Sequence, residues 1–238
     1  MIKHGSLWFV PLVGIGFAFL APTAARADLI DVQFGSTGPN VSTQFSGAAL
    51  TGIAGDQWNY FQSGSGSSSL IDSSGLPTGI SIEYSANGAY GVVPDRSAFF
   101  GTPYANLMQS FIYTQNAAIT ITFQGLSPGQ AFDLYIYGQS DQNSGNYGGT
   151  VTVNGIVQTA LQDDASTFTD NNNYLLFQGA ANANGMISIS DAIAPGREQT
   201  MVNGLQLITQ PVPEPASLLL FGVGIPALGL VRRRRQIS

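Results

Sequence analysis

The chain has 238 residues, a formal net charge of −6, no cysteine and a single histidine, His4. Residues 28–210, which lie between the two terminal segments described below, contain neither histidine nor cysteine. They therefore cannot hold a Ser-His-Asp triad, a thiol nucleophile or an ordinary zinc site. The same residues contain no lysine and only two arginines. That excludes a G-x-x-x-x-G-K phosphate loop, and nucleic acid is not expected as a partner.

Residues 1–27 have the pattern of a secretory signal peptide. Lys3 supplies a positive start, an apolar stretch fills 7–20, and small residues lead to the A-x-A sequence of Ala25 and Ala27. This pattern predicts cleavage before Asp28. An uncleaved membrane anchor is the alternative, which the small residues after the apolar stretch disfavour.

Residues 28–210 are predicted to form one exported domain. They keep Arg96 and Arg197 as their basic residues, against thirteen of the 14 acidic residues of the chain. This excess of negative charge suits a soluble surface outside the cell and would attract calcium there. With no disulfide available, the domain must be held by its core, or by its core and bound ions.

Alternating apolar and polar residues predict half-buried antiparallel strands through residues 28–210. Asn154-Gly155 predicts a tight turn between two of them. A short helix is predicted within 94–113, where 105–112 has helical spacing, and 63–69 (SGSGSSS) is predicted to be a flexible loop. The predicted strands are 29–34, 80–84, 117–123, 131–137, 150–153, 158–161, 174–177, 186–189 and 205–208.

Eight or more strands in one domain imply two packed sheets, so the expected fold class is an all-β antiparallel β-sandwich of the jelly-roll type. The segments that carry a family likeness are DVQFG (31–35), DQWN (56–59), GLPTGISIEY (75–84), ITFQGLSPGQAFDLYIYG (121–138), VTVNG (151–155) and NGLQLI (203–208). In these segments the chain resembles the galactose-binding-like β-sandwich. The resemblance implies that fold and a tendency to bind carbohydrate, and it fixes no ligand residues.

Aromatic residues in polar surroundings are the candidates for glycan binding, because aromatic faces match the apolar faces of sugars. Trp58 lies between polar residues, and Tyr147 lies in a loop among glycines. A tryptophan in this setting is more often half core, because two aromatic residues follow it closely. In the strand 131–137, Tyr135 and Tyr137 share one face and apolar residues share the other, so one of the two faces is core.

Two polar loops are rich in the oxygen ligands that calcium takes. The candidate ligands are Asp141, Asn143, Asp163, Asp164 and Asp170. The spacing at Asp141 does not follow the EF-hand pattern, and Asp and Asn are also ordinary turn residues. A structural calcium site and plain loop chemistry therefore both stay open.

Catalysis is not expected. Glycosidases need only two carboxyl groups about 5–10 Å apart, so the lack of histidine does not exclude one. The acidic residues are scattered singly, however, and Asp163 and Asp164 would point to opposite faces of an extended chain. The favoured function is a carbohydrate-binding or adhesive surface protein. A purely structural matrix protein and a polysaccharide hydrolase that uses carboxylates are the alternatives.

The C-terminal segment 211–238 has three parts in a fixed order. The lead-in, residues 211–215, is extended because its prolines disfavour a helix. The run 216–231 carries no charge and predicts a transmembrane helix of about 24 Å, and by the positive-inside rule the arginines after it stay in the cytoplasm. The residues of this signal are Val212, Pro213, Glu214, Pro215, Arg232, Arg233, Arg234 and Arg235.

Pro213-Glu214-Pro215, the apolar run and the terminal arginines resemble the PEP-CTERM sorting signal of Gram-negative bacteria. The resemblance implies cutting near the motif by an exosortase, a membrane-embedded cysteine protease or transpeptidase, with Glu214 as a recognition feature. It also implies export through the inner membrane to the cell surface or an extracellular polymer matrix, after a transient stay as a membrane-anchored protein. A buried core helix is the alternative, but such a helix seldom ends in four adjacent like charges.

Overall fold

The computed structural model describes residues 28–38, 40, 42–140 and 145–210. These residues form a succession of strands, a 3-10 turn at Pro94–Arg96 and a short helix, α1, at Ala105–Met108. The strands are β1 Asp28–Phe34, β2 Trp58–Phe61, β3 Ser65–Ile71, β4 Pro77–Ser85, β5 Gly88–Gly91, β6 Ser110–Thr114, β7 Ile119–Gln124, β8 Ala131–Tyr137, β9 Gly149–Val153, β10 Ile156–Ala160, β11 Tyr174–Ala180, β12 Ile187–Ile193, β13 Thr200–Val202 and β14 Gly204–Thr209.

Two large sheets and one small sheet contain all of these strands. The five-stranded sheet has the order β11-β8-β14-β1-β2, and the six-stranded sheet has the order β10-β9-β12-β7-β4-β3. The small sheet has the order β13-β6-β5. Neighbouring strands run antiparallel, apart from β1 and β2, which are parallel. The predicted all-β antiparallel sandwich is therefore confirmed.

The main core lies between the two large sheets and follows from the alternation of residues along each strand. On β7, for example, Ile119, Ile121 and Phe123 are buried, while Thr120 and Thr122 face outward. The inward residues of both sheets form one continuous hydrophobic cluster. Full burial of a side chain of this size contributes about 1.5–3 kcal/mol, so this cluster is the main source of stability in a domain without disulfides.

A second cluster covers part of the outer face of the five-stranded sheet. Segments 42–57 and 97–108 fold over that face and bury six residues, which are Phe45, Trp58, Phe99, Leu107, Met108 and Tyr137. The buried Gln33 of β1 attaches both segments to the sheet. Its Nε2 donates to the carbonyl oxygen of Asn106 at 2.8 Å, and its Oε1 accepts from the backbone nitrogen of Phe45 at 2.6 Å.

The turn between β9 and β10 has the predicted conformation. Asn154 and Gly155 both take positive φ angles, 46° and 89°, as a two-residue hairpin turn of type I′ requires. The register from Val153 and Ile156 onward is a regular antiparallel hairpin. Asparagine and glycine tolerate these angles better than other residues, so the local sequence specifies the hairpin.

One local prediction is wrong, and a second is confirmed only in part. Residues 65–69 are not a flexible loop, because they belong to β3 and pair with β4, with Ser67 opposite Glu83. The short helix predicted within 94–113 is present as α1, but it ends at Met108 although the helical spacing continues to residue 112, because β6 begins at Ser110. In both places pairing with a neighbouring strand outweighs the local conformational preference of the sequence.

The first and last described strands lie side by side. Asp28, the first residue of β1, is the register partner of Thr209 at the end of β14. The backbone nitrogen of Gln210 donates to the carbonyl oxygen of Ala131 at the start of β8. The chain therefore enters and leaves the sandwich at one end, and residues 138–140, 145–148 and 161–173 lie at the opposite end.

Candidate functional site

Four half-buried aromatic residues meet on the outer face of the five-stranded sheet, and we call them the aromatic patch. Tyr135 lies on β8 and Tyr174 begins β11, while Phe168 and Tyr104 come from the segments before β11 and α1. Ring centroids are 6.4 Å apart for Tyr135 and Tyr174, 6.5 Å for Tyr174 and Phe168, and 4.7 Å for Phe168 and Tyr104. The four rings form one partly exposed surface.

Buried aromatic rings support the patch from the side of the sheet. The ring of Phe168 lies 5.2 Å from that of Phe99 and 5.1 Å from that of Tyr137, and both supporting residues are fully buried. Tilted contacts at these distances are favourable for aromatic pairs. Since the supporting rings are fixed by packing, little conformational freedom is left for a ligand to remove on binding.

Asn173 fixes the loop that carries Phe168. Its Nδ2 donates to the carbonyl oxygen of Thr167 and to Oε1 of Gln139, both at 2.9 Å. Its Oδ1 accepts from the backbone nitrogen of Thr169 at 2.8 Å. Asn173 is fully buried, so breaking these bonds would leave polar atoms without partners away from water.

Polar groups border the aromatic patch. Asp133 and Gln178 are cross-strand partners on β8 and β11, and Nε2 of Gln178 donates to Oδ1 of Asp133 at 2.9 Å. Asp170 bridges to Tyr174 along the backbone. Burial, and then the charges of Asp170 and Tyr135, raise the pKa of Tyr174, so its hydroxyl keeps its proton at neutral pH. The patch thus places aromatic faces beside hydrogen-bond donors and acceptors.

Trp58 does not belong to this exposed surface. It is 1% exposed, its ring packs edge-on against Phe45 at 5.1 Å, and its Nε1 donates to the carbonyl oxygen of Gly47 at 2.9 Å. The half-core alternative weighed from the sequence describes it better than a stacking platform does, because a sugar cannot reach a ring with both faces covered. The hydrogen bond to Gly47 explains why an indole stands at this position.

Tyr147 is half-buried and lies apart from the aromatic patch. It packs against the small cluster of Val92, Phe111 and Met201, and its backbone bridges to Gln199. Its role as a glycan contact stays a prediction.

The acidic loops are only partly described. Asp141 and Asn143 lie outside the described residues, while Asp163 accepts from Nη1 of Arg197 at 3.3 Å and from the backbone nitrogen of Gly145 at 3.1 Å. The neighbouring Asp164 is exposed. Asp170 accepts from the backbone nitrogen of Asn171 at 3.0 Å.

Calcium binding in these loops stays a prediction. Within residues 28–38, 40, 42–140 and 145–210, no group of three or more His, Cys, Asp or Glu side chains is placed to hold a metal ion. A calcium ion in this region would have to compete with Arg197 for the carboxylate of Asp163.

Two strands, β1 and β12, each carry a buried carboxylate. The alternation of apolar and polar residues did not predict the burial of either one. Asp191 on β12 accepts from Oγ1 of Thr200 at 2.8 Å, and Asp31 on β1 accepts from Nε2 of Gln206 at 2.7 Å. In each, the second carboxylate oxygen has no hydrogen-bond partner among the residues that the structure describes. Burial raises the pKa of both to about 7, and Asp56 adds to the effect at Asp31.

The predicted processing signals frame the described domain. Ala25 and Ala27 lie outside the described residues, and Asp28 is the first residue of β1. The sorting residues Val212, Pro213, Glu214, Pro215 and the cluster 232–235 also lie outside them. In the part of the chain that the structure describes, no helix has the length and apolar character needed to span a bilayer.

Comparison with solved structures gives a partial overlap with one carbohydrate-binding protein. The native structure of a family 35 carbohydrate binding module from Clostridium thermocellum is 15% identical to this chain, and the overlap covers 39% of this chain and 72% of that one, with a TM-score of 0.28. No curated protein matches the chain in sequence.

Comparison with family models identifies the C-terminal segment. The model of the PEP-CTERM protein-sorting motif matches residues 211–235, which include the lead-in, the uncharged run and the arginine cluster. The resemblance noted from the sequence is confirmed, and such a motif in general implies export, a transient membrane anchor and processing by an exosortase. The chain therefore carries a PEP-CTERM protein-sorting motif after its β-sandwich domain.

Proposed function

We propose that the exported β-sandwich binds carbohydrate and that the protein acts at the cell surface or in an extracellular polysaccharide matrix such as a biofilm. The observation that carries this proposal is the aromatic patch of Tyr104, Tyr135, Phe168 and Tyr174, with Asp133 and Gln178 at its border. Aromatic faces pack against the apolar faces of sugar rings, and carboxylates and amides bind sugar hydroxyls.

The negative charge of the domain indicates which class of glycan it can bind. Residues 28–210 carry many more acidic than basic residues, and Asp133 and Asp170 lie at the patch itself. An acidic polysaccharide would be repelled by this field, particularly at low salt. The proposed ligand is therefore an uncharged polysaccharide of the matrix.

Processing completes the proposal. Signal peptide removal before Asp28 and exosortase cleavage near Pro215 would release the sandwich from the inner membrane of a Gram-negative bacterium. Until then the uncharged run 216–231 would anchor it, with Arg232–Arg235 in the cytoplasm. The match of residues 211–235 to the sorting motif supports this sequence of events.

A purely structural role and a hydrolase stand as the alternatives. The two carboxylates with raised pKa values, Asp31 and Asp191, are 0% and 1% exposed and belong to different sheets. Neither can reach a bound polysaccharide, so these residues give a hydrolase no acid/base pair.

A single set of assays on residues 28–210 separates the three functions. We expect saturable binding to uncharged polysaccharide, with no reducing ends released over time. Absence of binding to any matrix polysaccharide would favour the structural role, whereas release of reducing ends would identify a hydrolase.

A further inference from the structure

Both chain ends leave the sandwich at the end where β1 starts and β14 stops. Asp28 and Thr209 are register partners, and Gln210 is bonded to the start of β8. While the sorting tail is uncut, this end must therefore be the one nearest the membrane that holds the tail.

The length of the lead-in, residues 211–215, limits the distance between that end of the sandwich and the membrane. Five residues, 211–215, separate Gln210 from the uncharged run that begins at residue 216. Fully extended, five residues reach at most about 18 Å. The end of the sandwich that carries both termini therefore lies within about 18 Å of the bilayer surface.

Four aliphatic side chains surround the start of β1, and we call them the aliphatic patch: Leu29, Ile53, Leu76 and Ile208. Leu29 and Ile208 are cross-strand partners, so their side chains share the outer face of the sheet. Ile53 is 72% exposed and Leu76 is 61% exposed, the two highest values among the large apolar side chains of the described residues.

Two contacts place the segments that carry Ile53 and Leu76 beside Leu29. The backbone nitrogen of Ser73, in the turn that ends at Leu76, donates to the carbonyl oxygen of Leu29 at 2.8 Å. On the other side, a Cβ placed on Gly52 would lie 3.2 Å from Cδ2 of Leu29, so the Ile53 loop touches the same residue. The segments that carry Ile53 and Leu76 therefore both lie against Leu29, at the end of the sheet where Leu29 and Ile208 face outward.

We propose that the aliphatic patch contacts the lipid surface while the sorting tail anchors the protein in the membrane. The tether holds the patch at a high effective concentration next to the bilayer, so even a small apolar surface binds there. After the tail is cut this concentration is lost, and the same patch is too small to keep the domain on the membrane. This inference rests on the sorting motif and is independent of carbohydrate binding.

Two features around the patch specify the lipid and the orientation. Asp28 and Asp72 flank it and no described lysine or arginine lies next to it in sequence, so a surface of zwitterionic headgroups is favoured over an anionic one. With this end on the lipid, the loop 161–173 faces away from the membrane. Phe168 of the aromatic patch is then presented outward before release as well as after it.

The absence of cysteine from the natural chain allows a direct test. Single-cysteine variants Ile53→Cys, Leu76→Cys and Ser166→Cys of the full chain, each labelled with an environment-sensitive fluorophore, would be placed by their tails in phosphatidylcholine vesicles. Ser166 is an exposed residue of the 161–173 loop and serves as the control at the far end. We expect blue-shifted, severalfold brighter emission at positions 53 and 76 and unchanged aqueous emission at 166.

Emission that stays aqueous at all three positions would overturn the proposal. A second variant makes the result specific: adding Ile53→Asp to Leu76→Cys should abolish the blue shift at position 76, and adding Ser166→Asp should leave it intact. A shift that survives Ile53→Asp would show that the tether alone, and not the aliphatic patch, brings the label to the lipid.

Discussion

The hydroxyl of Thr200 donates to a carboxylate oxygen of Asp191 at 2.8 Å, where β13 packs against β12. The other oxygen of Asp191 has no described partner, and a Cβ on Gly149 would lie 2.2 Å from it, so Gly149 leaves room for this carboxyl group. A buried charge with so little compensation is costly, and the carboxyl group is therefore held best in its neutral form.

This arrangement predicts that the free energy of unfolding falls as the pH rises. Burial raises the pKa of Asp191 from 3.8 to about 7, and the pKa of Asp31 likewise. The folded state keeps these protons between pH 4 and 7 while the unfolded state loses them, so their stabilising contribution is complete below pH 4 and lost as the pH passes 7. Urea unfolding of residues 28–210 at pH 5 and pH 8 should show the domain less stable at pH 8, with a loss on the order of 2–4 kcal/mol for each group.

Substitution of Asp191 by asparagine should remove part of this pH dependence. The Asp191→Asn side chain can still accept from Thr200, and it carries no charge at any pH. We expect a variant whose stability changes less between pH 5 and 8 than that of the natural chain. Asp95→Asn, at an exposed position of the 3-10 turn, is the matched control and should keep the full pH dependence. Equal slopes for both variants would place the titrating group elsewhere.

Replacement of Trp58 by phenylalanine should affect stability and leave glycan binding unchanged. Trp58→Phe removes the donor to the Gly47 carbonyl oxygen, which is then left buried without its partner, and stability should fall by about 1–3 kcal/mol. Denaturant midpoints and a binding titration on the same preparation check this. A large loss of affinity with unchanged stability would return Trp58 to the binding site.

Truncation of Tyr104 should weaken glycan binding. Tyr104→Ala removes one half-buried ring of the aromatic patch, and an aromatic contact of about 0.5–1.5 kcal/mol corresponds to an affinity loss of about 2- to 12-fold. Tyr90→Ala is the control, because Tyr90 is 51% exposed on β5, in the small sheet outside the patch. Equal affinities for the two variants would mean that the patch does not contact the ligand.

Mass spectrometry of the protein that the native host releases to its surroundings tests the sorting signal. The mature chain should start at Asp28 and lack Arg232–Arg235, because a sorting motif of this kind implies processing by an exosortase. In a host without an exosortase the tail should remain. Full-length protein confined to the inner membrane of the native host would reduce the segment to a simple anchor.

The sequence predicted the sandwich well because its strands carry their own signal. Alternation specified β7 and β8 closely, and Asn154-Gly155 specified the hairpin between β9 and β10. The strands that were not predicted are β2, β3, β5, β6 and β13, which are short or rich in serine and glycine, so the neighbouring strand decides their conformation.

The candidate site was much harder to predict. The residues of the aromatic patch come from segments that are far apart in sequence. Of the four, only Tyr135 was indicated by the sequence, because the alternation along 131–137 places it on one face of a strand. The polar neighbours of Trp58 made it a candidate for glycan binding, but segments that fold over the five-stranded sheet bury its ring. Burial by a distant segment leaves no trace in the local pattern, and the same holds for Asp31 and Asp191.

Titration calorimetry of residues 28–210 against the uncharged exopolysaccharide of the native host tests carbohydrate binding most directly, performed with calcium and again with a chelator. We predict saturable heat under both conditions, because the aromatic patch uses rings, an amide and carboxylates that need no metal. Heat that disappears with the chelator would move the site to the loops of Asp163 and Asp170. The absence of heat under both conditions would contradict carbohydrate binding by this domain.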